Sequence, residues 1–391
     1  MQSSHRLEHF KIYSAVSELP DAWNNITQND IFLQRAYLKG LEQSMPSNIT
    51  LYFIGILKDE ELVGVALIQL VNLQAKEIFR TVASSKIPSI LRAMVFKLLK
   101  GNVLVIGNLM HTGQHGFHFN SDKIPQAAFL KILFKALDAL KIQITSEVGV
   151  KINALLFKDF YGNDILPQSR TFFIEQKFHE IQVQPSMILE ISEKWKTLND
   201  YQNDLLKKYK ARLRNTRQKL GKISLQEMAQ DELLENSELL HHLYKSVSDK
   251  ASFNTFLLPT NHFYMLKQEL QENFKVLAYY SEGNIIGFFT LILNGKFLET
   301  YFLGYDPSLQ EKFRLYHNML FEMITFGIDN KFSEIRFGRT ALEIKSSVGA
   351  SPKTLSMYIK HRNPVINNLV KKLLKTMHPQ QNWEERHPFK I

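Results

Sequence analysis

The sequence predicts an α/β (α+β) chain made of two copies of one domain, each a mixed, mostly antiparallel sheet flanked by helices. Three observations carry this. LYFIGILKDEELVGVALIQL at residues 51–70 returns near residue 274 as FKVLAYYSEGNIIGFFTLIL, with Gly64 falling on Gly287, an offset of 287 − 64 = 223. Each copy reads as an alternating strand, an acidic or glycine-bearing turn and a second apolar strand, the pattern of a hairpin. Each hairpin then leads into the same series: a strand ending in glycine (Gly107, Gly304), a long amphipathic helix (121–142, 312–330) and a short strand (VKINALLF, SEIRFG). Four elements matching in order imply duplication. The hairpins exclude an all-parallel, doubly wound sheet, because parallel neighbours need crossover connections.

In the first copy FKIYSAV reads as a strand, and FLQRAYLKGLEQS as a helix with Leu33, Tyr37 and Leu41 at helical spacing. After the hairpin, KIPSILRAMVFKLLK (86–100) is an amphipathic helix with no counterpart in the second copy. It either packs on the sheet or, through Lys86, Arg92, Lys97 and Lys100, touches a membrane surface. The copy is expected to end in SMILEIS, after Pro185, giving domains of 1–192 and 193–391 with no glycine- or serine-rich linker. The second copy opens with a helix over 199–220, then the strand KISLQEM, helices within 229–249 and 261–271, and the hairpin. TLSMYIKH closes it as a strand, followed after Pro364 by the basic amphipathic tail VINNLVKKLLKTM.

Composition narrows the function. A chain of 391 residues has room for two domains, each with its own core, and 45% hydrophobic with 22% charged residues is a globular balance. No apolar run approaches the roughly 18–20 residues needed to span a bilayer. MQSSHRLEHFKIYS lacks the pattern of a secretory signal, so a cytoplasmic location is expected, with peripheral contact at the inner membrane face as the variant. The chain has no cysteine, hence no disulfide, no thiolate nucleophile and no cysteine-type zinc site. A net charge of +10 favours anionic partners: nucleic acid, acidic lipid or a phosphate-bearing cofactor.

Phosphate-loop, dinucleotide-fingerprint, HExxH and GxSxG motifs are absent, which argues against kinases, Rossmann dehydrogenases, zincins and common hydrolases. The densest basic segment is KKYKARLRNTRQKL (207–220). On a helix its Lys210, Arg214 and Arg217 form one stripe at i, i+4, i+7, either a solvated face or a contact for phosphate or nucleic acid. In FLETYFLGY, strict alternation puts Phe297, Glu299, Tyr301, Leu303 and Tyr305 on one face, where a carboxylate and two phenols could move protons. DPSLQEKFRLYHN leads into the next helix, whose first N–H groups, with Lys312 and Arg314, would suit a pyrophosphate or be met by a simple Asp306 or Ser308 cap. The first copy has HTGQHGFHF at that junction. Its His111, His115 and His118 invite a metal, but without a carboxylate or cysteine cluster nearby an ordinary loop is expected, and no metal.

This element order resembles the GNAT acyltransferase fold, and its duplication resembles Fem-type aminoacyltransferases and the cellulose-biosynthesis-like acetyltransferases. The likeness covers nearly the whole chain. It is best in the second copy, through KARLRNTRQKL, GNIIGFFTLIL, RLYHNMLFEMITFGIDNKF and EIRFGRTALEIKSSVGA, the last with Gly338, Lys345 and Gly349. The resemblance implies transfer of an acyl or aminoacyl group from acyl-CoA or aminoacyl-tRNA to an amine, by direct attack. The acceptor would be a small molecule or a cell-envelope or polysaccharide precursor. Glu299 or Tyr305 would accept the proton and Tyr316 would return one. Lys210, Arg214, Arg217, Lys312, Arg314 and Lys345 would hold phosphates, and the first copy would be scaffold or acceptor platform. One departure stands out: the glycine-rich pyrophosphate loop of simple GNATs is replaced by LQEKFRLYH in the second copy, with only a partial match, GQHG, in the first. The alternative reading is a non-catalytic duplicate that binds tRNA or a lipid-linked precursor at the membrane surface.

Overall fold

Both hairpins turn through two residues at positive φ. β2 (Ile49–Lys58) joins β3 (Glu61–Leu73) through Asp59 (φ 51°) and Glu60 (φ 64°). β9 (Phe274–Ser281) joins β10 (Asn284–Asn294) through Glu282 (φ 52°) and Gly283 (φ 81°). Two left-handed residues in succession match the twist of the flanking strands. A bulge follows in each second strand. Ile56 faces Gly64 while Leu57 faces Leu62, and Tyr280 faces Ile285 while Tyr279 faces Gly287. Val63 and Ile286 are therefore the extra residues, each just before the repeated glycine. A Cβ at Gly64 would lie 2.6 Å from Phe129, and one at Gly287 would lie 3.0 Å from Met319, both on the helix packed against that hairpin. The duplication thus extends to the placement of single residues.

The computed structural model describes residues 8–73, 100–250, 255–369 and 383–390. They form two units: Met1–Val183 with Phe253–Phe256 and Thr354–Pro379, and Gln184–Ser252 with Leu257–Lys353 and Gln380–Ile391. In the first, the strand order is β1 (Glu8–Tyr13), β2, β3, β4 (Gly101–Ile106), β6 (Ile152–Tyr161), β13 (Ser351–His361), with β5 (Phe117–Phe119) paired to the start of β3. In the second it is β8 (Ser224–Glu227), β9, β10, β11 (Phe297–Tyr305), β12 (Glu334–Gly338), β7 (His179–Glu190). Within each unit the neighbours are antiparallel, except β4 with β6 and β11 with β12.

The closing strands are exchanged. Leu355–His361 pair with β6 in the first unit, and Met187–Glu190 pair with β12 in the second. The units therefore do not follow the expected division at residues 192 and 193. Both closing segments alternate in the same way, so pattern alone does not assign either to a sheet. The helix expected over 199–220 is two helices, Leu198–Asp204 and Lys207–Leu220. That over 312–330 is a short turn, Gln310–Phe313, and a helix, Leu315–Asp329, separated by Arg314 at φ 51°. The helix expected over 86–100 and most of the basic tail after Pro364 lie outside the described residues. Among the described residues, no helix is long and apolar enough to cross a membrane.

Each unit buries one crossover helix. Gln126–Glu147 lays Phe129, Leu133, Leu137, Leu140 and Ile144 on Ile54, Ile68, Leu104 and Phe157. Leu315–Asp329 lays Met319, Met323 and Ile324 on Phe289, Leu291, Leu298 and Ile335. Each such side chain contributes about 1.5–3 kcal/mol on leaving water.

One glycine tests the packing of the second unit. A Cβ on Gly304 would lie 2.4 Å from backbone atoms of Leu243 and Tyr244, which cannot rotate aside. Gly304→Ala is expected to cost about 3 kcal/mol in urea unfolding. A variant as stable as the wild type would contradict this close approach.

Candidate active site

The two parallel strand pairs differ where they end. β4 is paired with β6 to its last residue, Ile106 opposite Phe157. β11 and β12 share only three pairs: Phe297 with Glu334, Leu298 with Ile335 and Glu299 with Arg336. β11 then runs on to Tyr305, while β12 stops at Gly338. In the second unit the ladder between these strands therefore ends at Glu299, and β11 continues beyond it without β12 as a ladder partner.

In the first unit the corresponding place is taken by the loop 107–116. Lys158 Nζ donates to the His111 carbonyl (2.6 Å) and pairs with buried Asp159, whose carboxylate also accepts from the Gly113 N–H (3.4 Å). His111 stacks on Phe32, with 4.2 Å between ring centres, and His115 Nδ1 lies 2.8 Å from Asp30 Oδ2. Burial lowers the pKa of His118, against the pull of Asp30.

A bulge overturns the one-face expectation for β11. Leu303 faces Phe289 and Thr300 faces Leu291, so Tyr301 and Phe302 share the span opposite Thr290. The Thr290 hydroxyl lies 3.0 Å from the Phe302 N–H and 2.8 Å from its carbonyl. The alternation changes phase there. Leu298, Leu303 and Tyr305 join the core beneath helix Leu315–Asp329. Tyr301 and Phe302 instead meet His262, with Tyr301 Oη 3.1 Å from His262 Nε2. Glu299 and Tyr305 lie on opposite sides of the bulge, so they do not form the expected proton-moving face.

Glu299 is fully buried and pairs with Arg336 at 3.2 Å, while the Arg336 guanidinium sits 3.7 Å from the centre of the Phe297 ring. A carboxylate neutralised there is a structural ion pair, not an accessible base, and this corrects its expected role. Burial raises the pKa of Tyr305, and burial with the neighbouring Tyr305 raises that of Tyr316 strongly. Both phenols therefore hold their protons at neutral pH. A phenol that keeps its proton at neutral pH can give one and does not readily take one, which weighs against the expected acceptor role of Tyr305.

The basic candidates also divide. Arg217 pairs with Glu322 of helix Leu315–Asp329, and Lys210 Nζ reaches the Asn203 carbonyl (3.3 Å). The expected stripe is thus broken: Arg217 is engaged inside the unit, and Arg214 is left exposed. Lys345, 5% exposed, reaches the carbonyls of Phe337 (2.7 Å), Gly338 (3.3 Å) and Arg339 (2.6 Å). It fastens the turn after β12, where Gly338, Thr340 and Ala341 all have positive φ, and so does not bind phosphate. Burial pushes its amine down to about 7.

Around His317 stand Arg212, Arg314 and the carboxylate of Glu311. Burial first, then Arg212 and Arg314, lower the pKa of His317 at the start of helix Leu315–Asp329, against the pull of Glu311. Lys312 lies nearby in sequence, its Nζ 4.7 Å from the Phe313 ring centre. Fully buried Asn318 holds the assembly, donating from Nδ2 to the carbonyls of Thr216 (3.0 Å) and Phe313 (2.9 Å). Two guanidiniums against one carboxylate leave a positive balance beside a half-buried imidazole, which favours an anion. Arg212, His317 and Asn318 escaped the sequence reading. The first lay off the chosen stripe, and the others gain their meaning from partners in the basic helix.

The family model described as an acetyltransferase (GNAT) domain matches residues 207–346, from the first residue of the basic helix to the one after Lys345. No curated protein matches the chain. The structure of FemX is similar over 92% of this chain and 100% of that one, with a TM-score of 0.55 at 12% identity. A tandem GNAT protein from the clavulanic acid biosynthesis pathway is similar over 92% and 99%, with a TM-score of 0.50 at 7% identity. The chain has the GNAT fold. The family match falls in its second copy, residues 207–346.

Lys345→Met is expected to lose about 2–3 kcal/mol by leaving buried carbonyls unmet. The pH dependence adds a second readout. The folded amine titrates near 7 and the unfolded one near 10.5, so this group's contribution to stability grows as pH climbs between those values and is lost as pH falls through 7. The wild type should therefore gain on Lys345→Met in urea melts between pH 7 and 10. A pH-independent difference would contradict this.

Proposed function

We propose that the second copy transfers an acyl or aminoacyl group from a phosphate-bearing carrier, acyl-CoA or aminoacyl-tRNA, to an amine. The observation that carries this reading is the early end of the β11–β12 ladder, with Arg212, Arg314 and His317 beside it. The cations would hold the carrier's phosphates by charge-assisted hydrogen bonds from side chains. That suits a turn which has LQEKFRLYH where simple GNATs place glycines. The acyl carbonyl would lie along the outer half of β11.

The acceptor amine attacks the acyl carbon directly. The C–N bond forms, the C–S or C–O bond breaks, and the amine's extra proton leaves to water. Tyr305 gives its proton to the departing thiolate or alkoxide and recovers one from solvent. Tyr316, beside it, supports the same transfer. No protein nucleophile is required, consistent with the lack of cysteine. The first copy serves as scaffold or acceptor side, since Lys158, Asp159 and the loop 107–116 occupy its equivalent position.

A panel of acyl-CoAs and charged tRNAs, screened by thermal shift, identifies the donor through the stabilisation a bound ligand brings. With that donor, Tyr305→Phe is expected to lower kcat about 100-fold with KM unchanged. The pair Arg212→Ala with Arg314→Ala should raise donor KM at least about tenfold. Donor or RNA binding without turnover would replace catalysis by the binding-module reading, and no donor binding at all would remove both.

A further inference from the structure

A second basic feature lies entirely in the first unit, away from the candidate acyl-transfer site. A cavity of about 90 Å³ opens between the end of helix Gln126–Glu147, the start of β6 and the end of β13. Phe134, Asp138, Lys141, Asn153, Lys360 and Arg362 line it. Three cations meet one carboxylate, and Asp138 is already engaged with Lys141 at 2.5 Å. Lys360 Nζ faces the Phe178 ring, 5.6 Å from its centre, and meets no carboxylate or carbonyl among the described residues. The strand register puts Lys360 opposite Leu155, and the Arg362 N–H donates to the Asn153 carbonyl (2.8 Å), which fixes both cations at this corner.

We propose that this cavity binds a phosphate group. Its size admits a tetrahedral oxyanion, with space for several water-sized groups at roughly 10–15 Å³ each. Its chemistry selects an anion: Lys360 and Arg362 supply donors, and Asn153 adds an amide. Burial, then Lys141 and Lys177, lower the pKa of Lys360 against the pull of Asp138. A bound phosphate relieves that repulsion. On the adjoining surface, which shares Asp138 and Lys141, Ile142 is 72% exposed. An apolar substituent on the phosphate would lie there. The ligand is thus a phosphate ester, either soluble or the headgroup of an anionic lipid.

Thermal unfolding of the full chain, with chloride exchanged for inorganic phosphate at fixed ionic strength, tests the site. Saturating phosphate is expected to raise the Tm by about 2–4 °C. Lys360→Met with Arg362→Gln should abolish that rise, while the Tm in chloride stays at or above the wild type's. Arg212→Ala with Arg314→Ala should leave the rise intact, which separates this site from the donor site. Should Lys360→Met disturb β13, the exposed Arg362→Gln alone must weaken phosphate binding at least about fivefold. Flotation with phosphatidylcholine vesicles, with and without phosphatidylglycerol, distinguishes the sources. Binding that needs phosphatidylglycerol and is lost in the Lys360/Arg362 variant assigns a lipid headgroup. A phosphate response without flotation assigns a soluble ester. No phosphate response in the wild type, or an equal one in the Lys360/Arg362 variant, overturns the proposal.

Discussion

The ion pair between Glu299 and Arg336 sits on the last rung of the β11–β12 ladder, and the second unit is organised around it. A fully buried carboxylate needs a cation or hydrogen-bond donors against it, or must take up a proton. Arg336 is itself held by Glu334 at 3.2 Å and by the face of Phe297. Below this rung the strands share hydrogen bonds and bury Leu298 and Ile335. Above it the ladder ends. The bulge at Tyr301 and Phe302 then turns Leu303 and Tyr305 toward the crossover helix.

The elements beyond this rung are fixed from outside. On the β12 side Lys345 gathers three carbonyls, and Phe389 covers Gly349 so closely that a Cβ there would lie 2.3 Å from its ring. Arg386 pairs with Glu343 at 2.5 Å, and the Pro388 carbonyl accepts from the Leu206 N–H (2.8 Å), just before the basic helix. Residues 383–390 therefore brace the helix after β12 and the basic helix together. Asn318 joins that basic helix to the break at Arg314. Three of the candidate and neighbouring cations, Arg217, Arg336 and Lys345, serve internal partners. Arg212 and Arg314 form no direct ion pair among the described residues, and Glu311 is the carboxylate that shares their surroundings at His317.

The duplication was legible because hairpin alternation and the repeated glycines are local signals, and Gly64 and Gly287 keep their role down to the preceding bulge residue. The GNAT order of elements followed from it. The roles on β11 were not legible. Period-two alternation assumes an unbroken strand, and nothing in FLETYFLGY announces a bulge created by the Thr290 hydroxyl on the neighbouring strand. Arg217 looked like a phosphate ligand because Glu322 lies more than a hundred residues away in the chain. Lys345 matched a family motif, but its function is set by carbonyls that only the turn after β12 brings together. The strand exchange escaped for a related reason: SMILEIS and TLSMYIKH carry the same alternation, and an antiparallel edge accepts either.

The two copies show how one scaffold takes two forms. In the first, Lys158 and Asp159 anchor the loop 107–116, and β4 stays paired to its end. In the second, β11 outruns its partner, and cations gather at the start of the next helix. Hydrogen–deuterium exchange of the full chain with a saturating donor measures this difference most directly. The account predicts slowed exchange in residues 300–316 and 336–341, with 101–119 unchanged. Protection confined to 101–119, with those two segments of the second unit unaffected, would contradict it.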